Sequence, residues 1–417
     1  MSQSSRVLAP EGSGAGPFAE PPVDVDDEPE GNGRSRRRRL AILAVWSGFW
    51  GLYFSVSGGF SWHYFVQGST LLFHGAKAGQ PAGGLELYAN YPQLQIGPFT
   101  FALAEGLRHL GGGNGVHAAE AFMTVLGLVV LYCLERIAEA MRPDLVHTRR
   151  LDRTMLIGGG IFMIGWTDLS VGIGHLDDVL ALTLVTLAVW ALTANIPALA
   201  GLCLGLSVDS KPWALVFLAL ILTVPRFMRG HVAVWTGATV LVAWLPFVIA
   251  NPHMLTAASA FTIPNEPSSS LRALGVADAG TPKWDRMAQI GLGCLLGGIA
   301  VWRHRWPAII LLGVGARIVL DPGVYAYYTS GVLLGALMWD TLGLRRPWPM
   351  WTLITGAALA ISPIFISNAT MLGQIRLWLV IVFSAVLLLS PAYEIGPLAR
   401  RGLGRRRKAG ARRATRA

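Results

Sequence analysis

Charged residues are scarce in this chain of 417 residues. Asp, Glu, Lys and Arg make up 14% of it, against 53% for hydrophobic residues, whereas a soluble domain carries about 25% charged residues. This scarcity excludes an ordinary soluble globular protein. Apolar runs close to the ~20-residue length that crosses a bilayer recur along the chain, and together they predict an all-α, polytopic transmembrane helical bundle.

Cysteine is also rare. The three cysteines lie at positions 133, 203 and 294, each inside an apolar run, which excludes a disulfide framework and a zinc-type spacing. The net charge of +10 is concentrated in the Arg-rich segment 34–39 and in the basic stretch after Arg400. Beside membrane spans, such clusters indicate topology signals and anionic-lipid contacts, so the expected partner is the lipid bilayer and not nucleic acid.

The pattern of charge divides the chain into three predicted regions. Residues 1–39 form a disordered cytoplasmic tail, 40–392 a transmembrane domain, and 393–417 a basic cytoplasmic tail. The transmembrane domain holds about ten spans plus re-entrant helices, with larger outer loops at 59–95 and 251–285. Segment 207–212 is predicted to be the tip of a hairpin entering from the inner side, or else to join two complete crossings. The protein is then a multi-pass cell-membrane protein with both termini in the cytoplasm.

The stretch 174–178 places one imidazole and two carboxylates between two apolar runs, at 154–173 and 179–192. Acids at a membrane boundary are costly unless they are solvated, paired or used, so His175, Asp177 and Asp178 form a candidate site. Three interpretations stay open. The residues could make a solvated helix N-terminus, ligate a divalent metal, or supply a carboxylate base that deprotonates a hydroxyl.

Four further charged residues near span ends could serve a ligand. Arg317 and Arg376 suit a phosphate because the guanidinium group binds pairs of oxygens, although Arg317 could instead pair with Asp321 four residues on. Lys211 could form an anion site with unwound backbone, while Asp209 joins that site or caps the following half-helix. Tyr327 and Tyr328 are either interfacial belt residues or contacts for a sugar.

Several short features together resemble a known family. They are Leu87 and Tyr88, then Tyr91 and Pro92, after a structured first outer loop; the Gly-His turn at 174–175; and the segment 207–213 with its Lys-Pro pair. The chain resembles the GT-C-type integral-membrane glycosyltransferases that use a polyprenyl-phosphate sugar, and especially the bacterial α-1,2-mannosyltransferase-like group of glycosyltransferase family 87. The resemblance covers most of residues 40–391.

The resemblance implies a GT-C-like fold and metal-independent, inverting sugar transfer on the outer face, with a first-loop carboxylate as the base. This chain departs from that pattern, because no Asp lies between Asp27 and Asp144 and the expected position reads Phe-Ser-Trp-His-Tyr at 60–64. His63 could replace the acid as a base. Glu86, Asp177 and Asp178 are the acidic replacements.

We therefore expect a membrane glycosyltransferase, a hexosyltransferase that moves mannose from a polyprenyl-phosphate donor to a lipid-linked or cell-envelope glycan acceptor. No cofactor beyond the donor is expected, and a divalent metal is left open. Alternatives are a transporter or flippase of a lipid-linked or polar solute, and an inactive scaffold with the same fold. The predicted catalytic residues are His63, Asp177 and Asp178. The predicted substrate-binding residues are His175, Asp209, Lys211, Arg317, Tyr327, Tyr328, Arg376, Glu86 and Tyr91.

Overall fold

The computed structural model describes residues 32–56, 58–113, 115–146, 148–257, 261–325, 327–343 and 346–390, together with 395 and 398. Apart from Ile395 and Leu398, the predicted basic tail at 393–417 lies outside these residues, as does most of the predicted N-terminal tail. The part of the N-terminal tail that is described, from Asn32 onward, is helical and continuous with the first apolar run. The prediction of disorder up to residue 39 therefore ends too late.

Helices make up about three quarters of the described residues, whose only β-structure is an isolated bridge between Pro264 and Gly280. Short 3-10 turns precede α3 and begin α13. In chain order the helices are α1 (Asn32–Ser55), α2 (Trp62–Phe73), α3 (Leu87–Asn90), α4 (Pro98–Gly111), α5 (Val116–Met141), α6 (Arg149–Ile173), α7 (Leu176–Thr193), α8 (Pro197–Ser210), a 3-10 helix (Pro212–Thr223), α9 (Arg226–Ala250), α10 (Met254–Ala257), α11 (Ser270–Ala273), α12 (Asp285–Trp302), α13 (Trp306–Leu320), α14 (Tyr327–Leu342), α15 (Met350–Phe365) and α16 (Ala369–Leu389).

Five of these helices, α5, α6, α7, α9 and α16, are long and apolar enough to cross a bilayer. The chain is thus a multi-pass helical membrane protein, while the count of about ten spans stays a prediction, since the other apolar helices are shorter or more polar. Helix α7 is the most buried of the five and α9 the least, so α7 lies in the middle of the bundle and α9 at its margin.

Arginine side chains join several helix ends at one end of the bundle, which we call the arginine end. Arg36 contacts Glu135 at 3.3 Å, and Arg39 forms ion pairs with Glu135 and Asp152. These pairs explain why the Arg-rich segment is helical, because the folded α1 holds its guanidinium groups against acids on α5 and α6.

Arg142, after α5, completes this end of the bundle. Its Nη1 donates to the carbonyl of Leu342 at 3.0 Å, and its other nitrogens donate to Asp144. The hydrogen bonds from Arg142 lower the pKa of Asp144, which lies in the loop after α5, below its ordinary value.

The opposite end, which we call the acidic end, carries the 174–178 turn. The amide of Gly59 donates to Val171 at 2.9 Å and that of Ser61 to Ile173 at 2.7 Å, so the chain leading into α2 is tied to the end of α6. The 251–285 loop is tied here too, because the amide of Glu266 donates to the carbonyl of Pro322 at 2.9 Å. Both predicted large loops thus gather around the turn.

Helix α8 and the 3-10 helix are the two arms on either side of Lys211, for which either a hairpin or two complete crossings was predicted. We call the two arms the hairpin, and which of the two predictions holds stays open. Helix α8 packs along α7, and the chain reverses at Lys211, which has extended backbone. Glycines allow the close packing: a Cβ added at Gly201 would lie 2.5 Å from the carbonyl oxygen of Val232 on α9, and one at Gly293 would lie 2.5 Å from the side chain of Val216. The hairpin tip lies beside the first turn of α7, so the hairpin reaches the acidic end.

Candidate functional site

The candidate site begins at a reversal between two membrane helices. Gly174 has a φ of 70°, which ends α6, and α7 starts two residues later. Asp177 and Asp178 therefore occupy the first turn of α7, where unpaired backbone amides and the helix dipole favour negative charge. The acids begin the helix as expected, but they are buried rather than solvated, so the predicted interpretation as a solvated helix N-terminus is wrong in that respect.

His175 contacts both acids. Its Nδ1 is hydrogen-bonded to the Asp177 carboxylate and lies 3.4 Å from Oδ2 of Asp178. The ring of Phe65 on α2 packs against the imidazole edge-on, with centroids 5.9 Å apart. The two acids thus hold the Nδ1 edge of the imidazole, and Phe65 of the first outer loop covers part of the ring.

Lys211 brings a second cation to the same acids from the hairpin tip. Its Nζ forms an ion pair with Asp177 and lies 3.3 Å from Oδ2 of Asp178. The Asp177 and Asp178 side chains are only 0% and 3% exposed, whereas those of His175 and Lys211 are each 12% exposed. His175 and Lys211 therefore cover the two acids, and a ligand would contact these two side chains first.

An aromatic layer connects this cluster to Arg317. The indole Nε1 of Trp213 donates to Oδ1 of Asp178 at 3.0 Å. The Arg317 guanidinium lies over the Trp213 ring at 4.9 Å and over the Tyr328 ring at 4.5 Å. Contact with two aromatic rings fixes the orientation of the planar guanidinium group.

Tyr328 carries the polar network further. Arg317 donates to the Tyr328 hydroxyl at 2.7 Å, and this hydroxyl donates to Asp321 at 2.7 Å. Arg317 also lies 3.5 Å from Asp321, so the predicted pairing with the acid four residues on is present. Burial raises the pKa of Asp321, in the loop after α13, although the Arg317 charge opposes the shift.

One side-chain set could hold a metal. Ligand atoms of His175, Asp177 and Asp178 lie within 4.8 Å of one another, which fits a mixed nitrogen and oxygen donor set. Lys211 contacts both carboxylates at the same place. An ammonium group there competes directly with a divalent cation, so the donor set does not favour a resident metal while Lys211 is charged.

Asp209 has a different role from the one predicted. Its Oδ2 accepts a hydrogen bond from the backbone amide of Phe99 at 3.1 Å, so it caps the start of α4 rather than the helix that follows it. Helix α8 remains helical through Ser210, and the Lys211 amide donates to Ser207. The expected anion site of unwound backbone around Lys211 is therefore not formed, because these amides are used within the helix.

Three predicted residues of the first outer loop lie away from the acids. His63 is on the exposed face of α2, where its Nδ1 contacts the carbonyl of Phe60 at 2.8 Å. Glu86 accepts from Asn90 at 3.3 Å, and the Tyr91 hydroxyl donates to the carbonyl of Pro81 at 2.7 Å. These contacts shape the loop itself. Tyr327 begins α14, and its side chain is outside the described part of the molecule.

Arg376 and Tyr328 share a cavity next to the charged network. The cavity measures about 200 Å³ and lies between the 268–270 segment, α14 and α16. Arg376 donates to the carbonyl of Ser268 at 2.7 Å. Arg376 thus lies beside the site, though not among the residues around Asp177.

Trp213 was not among the predicted site residues. Its position two residues after Lys211 was a usable signal, because a residue so close to a hairpin tip shares the neighbourhood of that tip. Ser270, which is 1% exposed and lines the cavity, was also not predicted. Nothing in its local sequence distinguishes Ser270 from other loop serines.

Comparison with known proteins adds no assignment, because no family model, curated protein or solved structure matches this chain. The fold and the site define a multi-pass helical membrane protein with a buried acid–base cluster at one end.

Proposed function

We propose that this protein is a membrane glycosyltransferase that moves a mannosyl group from a polyprenyl-phosphate donor to a lipid-linked or cell-envelope glycan. The observation that carries the proposal is the arrangement of His175, Asp177 and Lys211. A partly exposed imidazole and a partly exposed ammonium lie together on a buried carboxylate pair, so a proton acceptor and an anion-stabilising cation share one site.

The side-chain exposures favour His175 as the proposed base. Asp177 and Asp178 are too deeply covered to meet an acceptor hydroxyl directly, whereas His175 is partly exposed. Because Nδ1 of His175 is held by Asp177, its Nε2 is the ring nitrogen turned away from that acid. A base oriented by a carboxylate behind it is a recurring catalytic arrangement.

The proposed reaction is a direct displacement at the anomeric carbon. The acceptor hydroxyl gives its proton to Nε2 of His175 while its oxygen bonds to the anomeric carbon. The bond from that carbon to the phosphate oxygen breaks, and its electron pair leaves with the phosphate. Asp177 and Asp178 stabilise the imidazolium that forms, and Lys211 and Arg317 stabilise the charge that develops on the phosphate.

The surroundings of the site suit a lipid-linked substrate. Helix α2 buries Phe65 against His175, while its neighbourhood exposes Phe60 and Tyr64. A helix with an apolar buried side and exposed aromatics is typical of a membrane interface. A lipid-bound sugar approaching at that level reaches the partly exposed side of the cluster without leaving the membrane.

The test is a transfer assay on the purified full-length protein in nanodiscs. The reactants are radiolabelled polyprenyl-phosphate-mannose and an envelope glycolipid extract. We expect transfer by the wild type and a fall of about 100-fold or more in His175→Ala, as for loss of a general base. His117→Ala is the matched control, because this histidine side chain is 92% exposed. Wild-type activity in His175→Ala together with loss of activity in His63→Ala would move the base to α2.

A transporter or flippase is the second candidate, and a specific observation favours it. Lys211 lies at the tip of a broken helical hairpin between two buried carboxylates, and interrupted helices with buried charges occur at transport sites. Translocation of a labelled lipid-linked sugar across proteoliposomes, without a glycosylated product, would support this candidate and contradict the transferase.

A further inference from the structure

One acid of the membrane helix α6 takes no part in the candidate site. Asp168 is half-buried, and within the described residues its carboxylate makes no hydrogen bond or ion pair. Asp177 on α7, by contrast, is paired with both His175 and Lys211. A carboxylate in a membrane helix is costly without a partner. The partner of Asp168 therefore comes from outside the described part of the chain.

The position of Asp168 along α6 indicates where that partner lies. The helix has 25 residues, which is about 37 Å at 1.5 Å per residue, so it exceeds the ~30 Å hydrocarbon core by a few ångströms at each end. Asp168 precedes the last residue, Ile173, by little more than one turn. The carboxylate thus lies close to the boundary between the hydrocarbon and the lipid headgroups at the acidic end.

Aromatic rings of α1 surround the space beside the carboxylate. A Cβ added at Gly172 would lie 2.6 Å from Oδ1 of Asp168 and 3.5 Å from Cδ1 of Phe54, so one group placed in this space contacts both. The Phe54 ring in turn contacts the rings of Trp50 and Tyr53, with centroids 5.8 Å and 5.2 Å apart. The backbone at 168–173 has the wider π-helical turn, which is frequent at functional sites.

A carboxylate next to aromatic rings is suited to an ammonium group. The carboxylate only accepts hydrogen bonds, a primary ammonium carries three donors, and the ring faces attract a cation. A quaternary ammonium has no N–H to donate, and an anionic headgroup would be repelled. Tyr53 is 64% exposed and Phe49 is 60% exposed on the same helix, and exposed aromatic side chains near a membrane boundary are typical of contact with lipid.

We propose that Asp168, Gly172 and Phe54 form a binding surface for the primary ammonium headgroup of phosphatidylethanolamine, in the leaflet at the acidic end. The carboxylate accepts hydrogen bonds from the ammonium, and the Phe54 ring covers it. Because this surface is formed by α1 and α6, it does not depend on the proposed sugar transfer.

Binding is measured by native mass spectrometry of the full-length protein released from nanodiscs. The nanodiscs contain equal amounts of dioleoyl phosphatidylethanolamine, phosphatidylcholine and phosphatidylglycerol. We expect the wild type to retain phosphatidylethanolamine about tenfold over phosphatidylcholine, as for one hydrogen bond between charged groups. Asp168→Asn should lose this preference while its Tm stays equal or rises, since the variant removes an unpaired charge. Asp278→Asn is the matched control, because Asp278 is exposed in the second outer loop.

A second variant tests the space beside the carboxylate. In Gly172→Ala the added methyl group displaces the flexible Asp168 side chain, so we expect the lipid preference to fall while the fold is kept. Equal retention of the three lipids by the wild type would overturn the proposal, as would an unchanged preference in Asp168→Asn. A co-purifying membrane protein that is lost in Asp168→Asn, with no lipid preference in its absence, would assign the surface to a basic helix and overturn the lipid.

Discussion

Replacing Lys211 with methionine tests whether the buried acids depend on the hairpin tip. Methionine keeps most of the apolar stem and removes the ammonium that contacts both Asp177 and Asp178. Removing one partner of a buried ion pair leaves an uncompensated charge, which typically costs about 3–5 kcal/mol. His175 remains beside both acids, so we expect the lower part of this range.

A double variant separates charge from packing. In Lys211→Met with Asp177→Asn, one positive and one negative charge are removed together. The cost should then be smaller than the sum of the two single variants by about 1–3 kcal/mol, the coupling expected for contacting groups. Lys283→Met is the control, because Lys283 is exposed in the second outer loop and a surface change there should stay within about 0.5 kcal/mol.

The assay uses the native cysteines. Cys133 and Cys203 are buried and Cys294 is exposed, so in a Cys294→Ser background a thiol-reactive dye reports unfolding as it reaches the buried pair. Titration with a denaturing detergent gives the free energy of unfolding. A Lys211→Met protein as stable as the wild type would refute the view that this cation neutralises the acids.

Three further changes test other contacts. Gly97→Ala should disrupt docking of the hairpin tip on α4, since the added Cβ would lie 1.3 Å from the backbone oxygen of Asp209. The control is Gly106→Ala within α4, where the Cβ would have no neighbour within 4 Å and should stabilise the folded protein by about 0.5–1 kcal/mol. Equal stabilities of the two variants in the dye assay would contradict this prediction. Trp213→Phe keeps a ring under the guanidinium but loses the donor to Asp178, and should cost about 1.5–3 kcal/mol in the same assay; an unchanged value would count against that bond. Because the folded protein lowers the pKa of Asp144, the Asp144 carboxylate stabilises the folded state at pH values above its ordinary pKa of 3.8, and this stabilisation is lost as the pH falls below that value. Wild type and Asp144→Asn should therefore become equally stable at low pH. A stability difference that does not change with pH would contradict the lowered pKa.

The helical class of the fold could be predicted because it depends on composition. Low charge and repeated apolar runs leave few alternatives in a bilayer. The break in the helix at Lys211 was also predictable, since the apolar runs on both sides of it are short. The start of α1 was not, because the helicity of residues 32–39 depends on acids about a hundred residues away, such as Glu135.

The site was predictable in its centre and not in its periphery. His175, Asp177 and Asp178 share one turn, so sequence adjacency brings them together. Their meeting with Lys211 depends on how α8 packs against α7, and no local pattern encodes that packing. His63 was favoured because histidine is a plausible base, yet a helix periodicity of 3.6 residues directs Phe65, rather than His63, toward His175.

The most direct test of the account is chemical rescue of the proposed base. The rate of mannosyl transfer by His175→Ala is measured with and without added imidazole, and His117→Ala serves as the control. The account predicts a rate at least about 100-fold below wild type that imidazole partly restores, with no effect of imidazole on the control. A His175→Ala protein that transfers mannose at the wild-type rate would contradict it.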